Sequence, residues 1–349
     1  MDLSERGKEI LKVVVKGYIE TGEPVGSRTV AKRSKLNLSP ATIRNVMADL
    51  EEMGYLFQPH TSAGRVPTEK GLRLFVDALM EPVQLSPSQQ ERIRRYYEEG
   101  SWDLGELMRR TCRILSTFSR YPGLVMAPPL KETIFKRIEF VKLRQQQVLA
   151  VFIASSGVVQ SRVVELDEDL SQEELDQMSA YLNELLTGLP LREVRERLVQ
   201  EMERERRAYD RLLARAIRLG GETLVAEDER EVFIEGQSQI LDEPSFADIK
   251  RMKQLLEALE RKGRLLRLLD RSMKAKGIQI FIGSECDVEG LEQCSLVTST
   301  YGPEDHTLGI LGVIGPVRMD YSRIIPLVDY TAKLLTQVLE VHWVAPQEG

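Results

Sequence analysis

Cysteine and histidine are scarce in this chain of 349 residues, which has three of each. Three scattered cysteines cannot form a disulfide scaffold, and three histidines leave few ligands for a metal site. We therefore expect a protein of the reducing cytoplasm that holds no metal and no cofactor. No paired carboxylates or cysteine–histidine cluster stand out, so an enzyme is not expected.

Long apolar runs are missing as well. The longest uncharged apolar stretch, Leu308 to Val317, has ten residues and includes three glycines, which is too short to span a bilayer. The first residues, Met1 to Arg6, lack the apolar segment of a secretory signal. We expect neither a membrane protein nor a secreted one. The 42% hydrophobic and 29% charged residues are typical of a folded protein with two or three domains.

The charge is distributed unevenly along the chain. The formal net charge is −6, yet residues 1–80 carry 12 basic and 10 acidic side chains, against 36 and 44 in the rest. Residues 24–48 hold five basic side chains and no acidic one. A basic run is by itself more often a solvated surface, so the pattern around it has to decide whether nucleic acid is the partner.

Capping and helix-breaking residues divide the N-terminal segment into three predicted helices. Ser4 is placed to cap the first, which Gly22-Glu23-Pro24 ends. Ser27 is placed to cap a second, short helix. Ser39-Pro40 is a strong helix start, because the hydroxyl caps free N–H groups and proline suits the first helical position. The third helix then extends to about Met53.

The third helix has two unlike faces. Residues placed at 100° intervals put Ile43, Val46, Met47 and Leu50 on one side and Ala41, Asn45, Ala48 and Glu52 on the other, with Thr42 and Arg44 between them. Small side chains allow close approach to a base-pair edge, where asparagine pairs with adenine and arginine with guanine. An ordinary exposed polar face is the alternative. The order of short helix, turn and helix favours a recognition helix.

A predicted hairpin follows the third helix. Tyr55 to Gln58 and Arg65 to Pro67 are the extended segments, and the small polar tip is Pro59 to Gly64. Three helices followed by a β-hairpin predict a winged helix, in which the tip and Arg65 lie beside a phosphate backbone.

Three segments of this unit closely resemble the heat-inducible transcription repressor HrcA family: Tyr18 to Arg28, Leu38 to Asn45 and Gln58 to Arg65. Ser295 to Gly302 and Leu311 to Arg323 resemble the same family, so the resemblance spans the chain. It implies a homodimer that binds an inverted-repeat operator upstream of chaperonin and heat-shock operons. It also implies that the chaperonin GroEL keeps the repressor active, so that heat relieves repression when unfolded proteins occupy the chaperonin.

The candidate DNA-binding residues lie in the second helix, the third helix and the hairpin. They are Ser27, Arg28, Ser39, Ala41, Thr42, Arg44, Asn45, His60, Thr61, Ser62 and Arg65. Among them, Asn45 and Arg44 are expected to read bases, and Arg28 and Arg65 to contact phosphates.

The predicted fold class is α+β and multidomain. The expected divisions are a winged helix (1–80), a linker (81–101), a first core segment (102–129), an insertion (130–221) and a second core segment (222–345). The resemblance implies that the core is GAF-like and that the insertion dimerises. The apolar stripe of a long helix predicted over Leu191 to Leu219 fits internal packing as well as a dimer contact.

A regulator that senses a small ligand through the GAF-like domain is the alternative function. It shares the DNA-binding unit but places the switch elsewhere. Gly309, Gly312 and Gly315 suggest a nucleotide loop only superficially, because apolar residues separate them and Pro316 blocks a helix start. They are predicted to be strand glycines in close packing.

Overall fold

The computed structural model describes residues 3–98, 104–128, 134–154, 159–166, 168–205, 216, 219–220, 231–241, 243–246, 248–260, 262–303 and 307–340. Its N-terminal elements are α1 (Glu5–Thr21), α2 (Ser27–Arg33), α3 (Pro40–Glu52), β1 (Leu56–Phe57), β2 (Val66–Pro67) and α4 (Glu69–Leu74), which a π-helical turn extends (Phe75–Leu79). Three helices followed by an antiparallel hairpin make the predicted winged helix.

Local signals in the sequence set the ends of these helices. The hydroxyls of Ser4 and Thr68 accept backbone N–H groups in the first turns of α1 and α4. Gly22 ends α1 with a φ of 73°, a left-handed conformation that favours glycine. The apolar faces then meet in one core, whose buried members include Ile10, Leu11, Val14, Val30, Ile43, Leu50, Leu56 and Leu72.

The rest of the chain alternates helices with antiparallel strands. Its elements are α5 (Pro87–Glu98), α6 (Leu104–Ser119), β3 (Gly123–Met126), β4 (Phe135–Arg144), β5 (Gln147–Ala154), β6 (Val159–Glu165), α7 (Gln172–Leu186), α8 (Leu191–Glu205), β7 (Val232–Glu235), α9 (Ile249–Glu260), α10 (Lys262–Met273), β8 (Ile278–Ile282), β9 (Cys294–Tyr301), β10 (Gly309–Pro316) and α11 (Tyr321–Leu339).

A five-stranded antiparallel sheet in the order β7-β3-β10-β9-β8 forms the centre of the C-terminal part. Successive side chains point to opposite faces. Val125 therefore joins the core under α6 and α11, while Leu124 joins the core under α9 and α10. Because both faces are covered, β10 is buried along its whole length.

The glycines of β10 allow close strand packing. A Cβ atom at Gly312 would lie 2.5 Å from the carbonyl oxygen of Val297, and one at Gly309 would lie 2.4 Å from that of Met126. Neither side chain could be accommodated without moving the neighbouring backbone. The prediction of strand glycines is confirmed.

A separate unit lies between β3 and β7, which are neighbours in the five-stranded sheet. The chain leaves that sheet at Met126 and returns at Val232, and the two residues are paired in register. The intervening strands form an antiparallel sheet in the order β4-β5-β6, with its own core against α7 and α8. We call this the inserted unit. Its buried side chains include Phe135, Ile138, Phe140, Phe152, Leu175, Met178 and Leu182.

Two helices differ from the expectation. The segment predicted as a linker contains α5, which buries Ile93 and Tyr97. These two residues are four apart and share one face, so two side chains anchor a helix that is otherwise polar. Apolar residues at helical spacing over 245–269 predict a single helix, whereas the structure has a 3-10 turn (Pro244–Phe246) followed by α9 and α10.

The described part of α8 covers less than the predicted long helix. It extends from Leu191 to Glu205, and residues 206–215 and 217–218 lie outside the described ranges. Val194 and Leu198 pack into the core of the inserted unit, as do Ala216 and Leu219. Internal packing therefore accounts for these four members of the apolar stripe.

Candidate nucleic-acid interface

Helix α3 is held from behind by the core and at its start by Ser39. The Ser39 hydroxyl accepts the Thr42 amide N–H at 3.1 Å, and proline occupies the first turn. Ile43, Met47 and Leu50 are buried, so the opposite side of the helix is fixed towards solvent.

Five candidate residues share that solvent side. Their side chains are exposed and occupy the cap and first turns of α3: Ser39, Ala41, Thr42, Arg44 and Asn45. We call them the outer face of α3. The face joins one amide, one guanidinium and two hydroxyls to a small residue, and it carries no carboxylate. Such a set offers donors to base-edge acceptors and to phosphate oxygens.

The short helix α2 adds a cation beside this face. Arg28 is exposed, as expected, whereas Ser27 is half-buried and is the first residue of α2, not its cap. The cap is Gly26, which has no side chain to offer and leaves α2 without a side-chain cap. The prediction that Ser27 caps α2 is wrong. Its hydroxyl instead lies at a helix N-terminus, where N–H groups attract anions.

The basic segment 24–48 is exposed at each of its charged positions. One of its cations, Arg33, forms an ion pair of 2.6 Å with Glu20 in α1. Lys32 and Lys35 are exposed near the two helices. The segment therefore places exposed positive charge on α2, on the turn after it and on α3.

The hairpin tip is exposed and is held together by hydrogen bonds within the hairpin. His60, Thr61 and Ser62 are exposed. The Gln58 amide group donates to the Thr61 carbonyl at 3.0 Å and to the Ala63 carbonyl at 2.9 Å. These bonds hold the tip in one shape, so its polar side chains have a defined position relative to α3.

Arg65 is placed differently from the other candidates. Only 13% of its side chain is exposed, and its guanidinium lies 2.9 Å from the Glu51 carboxylate of α3. The Glu51 carboxylate also accepts the backbone N–H of Gln58 at 3.1 Å. Arg65 and Glu51 therefore connect the hairpin to α3. The sequence did not lead us to expect that Glu51 and Gln58 connect the hairpin to α3. Their positions at the end of α3 and the start of the hairpin could have indicated this role.

The base of the hairpin packs against the segment before α2. Val25 and Arg65 exchange backbone hydrogen bonds of 2.9 Å. A Cβ atom at Gly64 would lie 2.4 Å from the Val25 carbonyl group, so glycine is required there. The structure thus brings α2, α3 and the hairpin into one rigid surface.

Among the residues that the structure describes, no three of His, Cys, Asp and Glu are grouped to hold a metal ion. No described helix is long and apolar enough to cross a membrane. The three cysteines are buried, and burial raises the pKa of the Cys286 thiol to about 12, which keeps it protonated and unreactive.

Comparison with known proteins identifies relatives along the whole chain. The family described as winged helix-turn-helix transcription repressor, HrcA DNA-binding, matches residues 2–76, and the HrcA protein C-terminal domain matches residues 105–325. The heat-inducible transcription repressor HrcA of Geobacter sulfurreducens is 53% identical over 97% of this chain and 99% of its own. That of Syntrophobacter fumaroxidans is 49% identical over 97% and 98%.

One solved structure has a related fold. It is a crystal structure of a hypothetical protein, with a TM-score of 0.62 and 24% identity over 97% of this chain and 98% of that one. The winged helix, its exposed basic residues and the full-length relatives all indicate the same family. The chain belongs to the HrcA family, a family of transcription repressors and not of enzymes.

Proposed function

We propose that this protein is a heat-inducible repressor that binds an inverted-repeat operator of chaperonin and heat-shock operons as a homodimer in the cytoplasm. The observation that carries the proposal is the outer face of α3, which is exposed and free of carboxylates, in a winged helix that also exposes Arg28 and the hairpin tip. Asn45 and Arg44 read bases, while Arg28 and the tip contact the backbone.

A homodimer is required because an inverted repeat has two-fold symmetry. The inserted unit offers a surface for it. One side of its sheet packs on α7 and α8. The other side has five aliphatic side chains next to an exposed ion pair of 2.7 Å between Arg137 and Glu139: Val141, Leu149, Val151, Ile153 and Val163. We call this the open face of the inserted sheet. Val141 and Val163 are 41% and 52% exposed, and both pair with Leu149 across the strands.

The edge of the sheet at β4 is not available for pairing with another strand. Side chains of α7 occupy its backbone groups: Asn183 bonds both the N–H and the carbonyl of Ile138, and the Ser179 hydroxyl accepts the Phe140 N–H. Such cover prevents strand addition. We infer that a second copy docks on the open face, burying its aliphatic side chains in the way that obligate dimers bury apolar surface.

We also propose the expected divisions of the chain: a winged helix over 1–80, a linker over 81–101 and a GAF-like core formed by 102–129 and 222–345. The dimerising insertion then covers 130–221. The separate core of the inserted unit, between two neighbouring strands of the larger sheet, supports this division.

The dependence on the chaperonin GroEL has a physical basis in the sheet order. Strand β3 lies between β7 and β10, and both neighbours follow the inserted unit in the chain. Gly123 pairs with Val313, which is 190 residues later. Pairing over such separations is slow and leaves apolar strands exposed to aggregation. Under heat, unfolded proteins occupy GroEL, so that less GroEL is available to fold the repressor and repression is relieved.

The direct test measures binding to the inverted repeat upstream of the chaperonin operon in the same organism, by anisotropy at fixed salt. We expect binding at least about a thousandfold tighter than to random DNA, and a loss when one half of the repeat is scrambled. Equal affinity for operator and random DNA would contradict the proposal.

The regulatory part has its own test. Heat-stressed protein should lose operator binding irreversibly, and GroEL with ATP should raise the bound fraction. The family assignment does not favour the small-ligand sensor. That alternative would take precedence if the protein refolded fully alone while a metabolite changed operator affinity about tenfold.

A further inference from the structure

The winged helix packs directly against the C-terminal part of the chain. Its core is continuous with the core under α6 and α11. Helix α4 meets the five-stranded sheet at the end of β8, where a 3-10 turn follows (Gly283–Cys286). The residues that form this contact lie more than 200 positions apart in the sequence.

Arg73 makes the most extensive polar contact across this boundary. Its guanidinium binds both carboxylate oxygens of Glu285 and donates to the Ile280 carbonyl oxygen at 2.7 Å. Glu285 in turn accepts the Ile282 amide N–H at 2.9 Å. A guanidinium that engages a carboxylate through two bonds fixes direction as well as distance.

Glu69, one turn earlier in α4, makes a second contact. It accepts the Ser284 amide N–H at 3.1 Å and also the Ser284 hydroxyl. Gly283 takes a φ of 57°, and a Cβ atom there would lie 2.0 Å from a Glu69 carboxylate oxygen. The turn is therefore shaped to admit the carboxylate.

A third contact lies at the other end of the winged helix. The Arg318 guanidinium packs against Gly22, at the C-terminus of α1, and is itself held by Glu243 at 2.7 Å and by Ser245. The winged helix therefore meets the core through polar contacts of α4 and a packing contact of α1.

We propose that Arg73 and Glu69 are positioning residues that set the orientation of the winged helix on the core and so match two copies to the half-site spacing. They do not touch DNA. Both copies must reach their half-sites together, and a winged helix that pivots loses the gain from simultaneous binding. The inference rests on the proposed operator binding by a homodimer.

The experiment compares affinity for the full inverted repeat with affinity for a single half-site, using the full-length chain. Arg73→Ala should weaken binding to the full repeat at least about tenfold and change half-site binding less than about twofold. Because Arg73 acts through Glu285, the double variant with Glu285→Ala should be no weaker than Arg73→Ala alone.

Lys142→Ala is the matched control, because it removes a partly exposed ion pair with Asp169 in the inserted unit. We expect it to leave both affinities unchanged. Equal losses on the full repeat and the half-site, or additive losses in the double variant, would overturn the positioning role.

A second readout does not depend on DNA. Spin labels at Lys32→Cys in α2 and Lys253→Cys in α9, in chains diluted with unlabelled protein, report the distance between winged helix and core. The distribution of distances between the two labels should be narrow in the parent protein and broad in Arg73→Ala. An unchanged distribution of distances would overturn the inference. If the parent protein bound neither the full repeat nor the half-site, the proposed function would be contradicted. The distance between the labels would still test whether Arg73 and Glu285 orient the winged helix.

Discussion

The outer face of α3 and the open face of the inserted sheet are both exposed, yet they have opposite chemistry. The first holds hydroxyl, amide and guanidinium groups, which water solvates well until a polar partner replaces it. The second holds five aliphatic side chains, with Val163 52% exposed, beside a single Arg137–Glu139 ion pair among the described contacts. A polar face suits a partner that binds and leaves, whereas an apolar face suits a permanent partner. We propose DNA as the partner of the first face and a second copy of the chain as the partner of the second.

The largest expected effect comes from a charge placed at the centre of the open face. Leu149→Asp should abolish the dimer, because the carboxylate would be buried unpaired at the interface. Operator affinity should then fall by at least about a hundredfold through the loss of simultaneous half-site binding. Sedimentation and anisotropy measure the two quantities.

Gln177→Asp adds the same charge on the exposed side of α7 and serves as the control. A Leu149→Asp protein that still sedimented as a dimer would show that the two faces do not differ in the proposed way.

The next effect concerns base reading by the outer face of α3. Asn45→Ala should cost roughly 1–3 kcal/mol on the operator and little on random DNA, because its amide pairs with a base edge. Anisotropy with both DNAs measures the difference. Equal losses on the two DNAs would mean that this face does not read sequence.

A smaller effect separates Arg28 from Arg65. Arg28 is exposed, so Arg28→Ala should weaken binding to both DNAs and reduce the salt slope by about 0.9 for one lost phosphate contact. Arg65 is paired with Glu51, so Arg65→Ala should lower the thermal midpoint and leave the salt slope nearly unchanged. If Arg65→Ala reduced the slope as much as Arg28→Ala, Arg65 would have the phosphate role that the sequence predicts.

The smallest effect is a pH dependence of the contact that orients the winged helix. Partial burial acts to raise the pKa of Glu285, but the Arg73 guanidinium and the Ile282 amide overcome it, so the pKa lies below the ordinary 4.5. A lowered pKa stabilises the folded protein above 4.5, and this contribution is lost as pH falls through the lowered value.

The difference in thermal midpoint between the parent and Glu285→Gln measures this contribution. It should be present at neutral pH and should shrink as the pH falls below 4.5. A difference that stayed constant over this range would show that the carboxylate charge is not what stabilises the contact.

Local patterns explain which parts of the structure were predictable. Ser4 and Ser39 cap helices where the sequence places them, and the spacing of Ile43, Met47 and Leu50 orients α3 correctly. These features depend on residues three or four positions apart. The cap of α2 was misassigned because Gly26 and Ser27 are both acceptable before a short helix.

Helix α5 was missed for a related reason. Its surface is mostly polar, and only Ile93 and Tyr97 enter the core. A mostly polar segment is predicted to be a linker, because the sequence does not show that the rest of the protein packs against its two apolar side chains. The break between α9 and α10 was likewise hidden, because apolar residues continue at helical spacing on both sides.

By itself, the sequence determined the winged helix and the outer face of α3, because both depend on periodicity, caps and turns. The inserted unit was expected only from the family resemblance. Only the tertiary structure decided that Arg65 faces Glu51, that α7 covers the β4 edge and that Arg73 binds Glu285. A charged side chain has the same local pattern whether it meets water, DNA or a carboxylate 212 residues away. Its partner is chosen by the packing of distant segments.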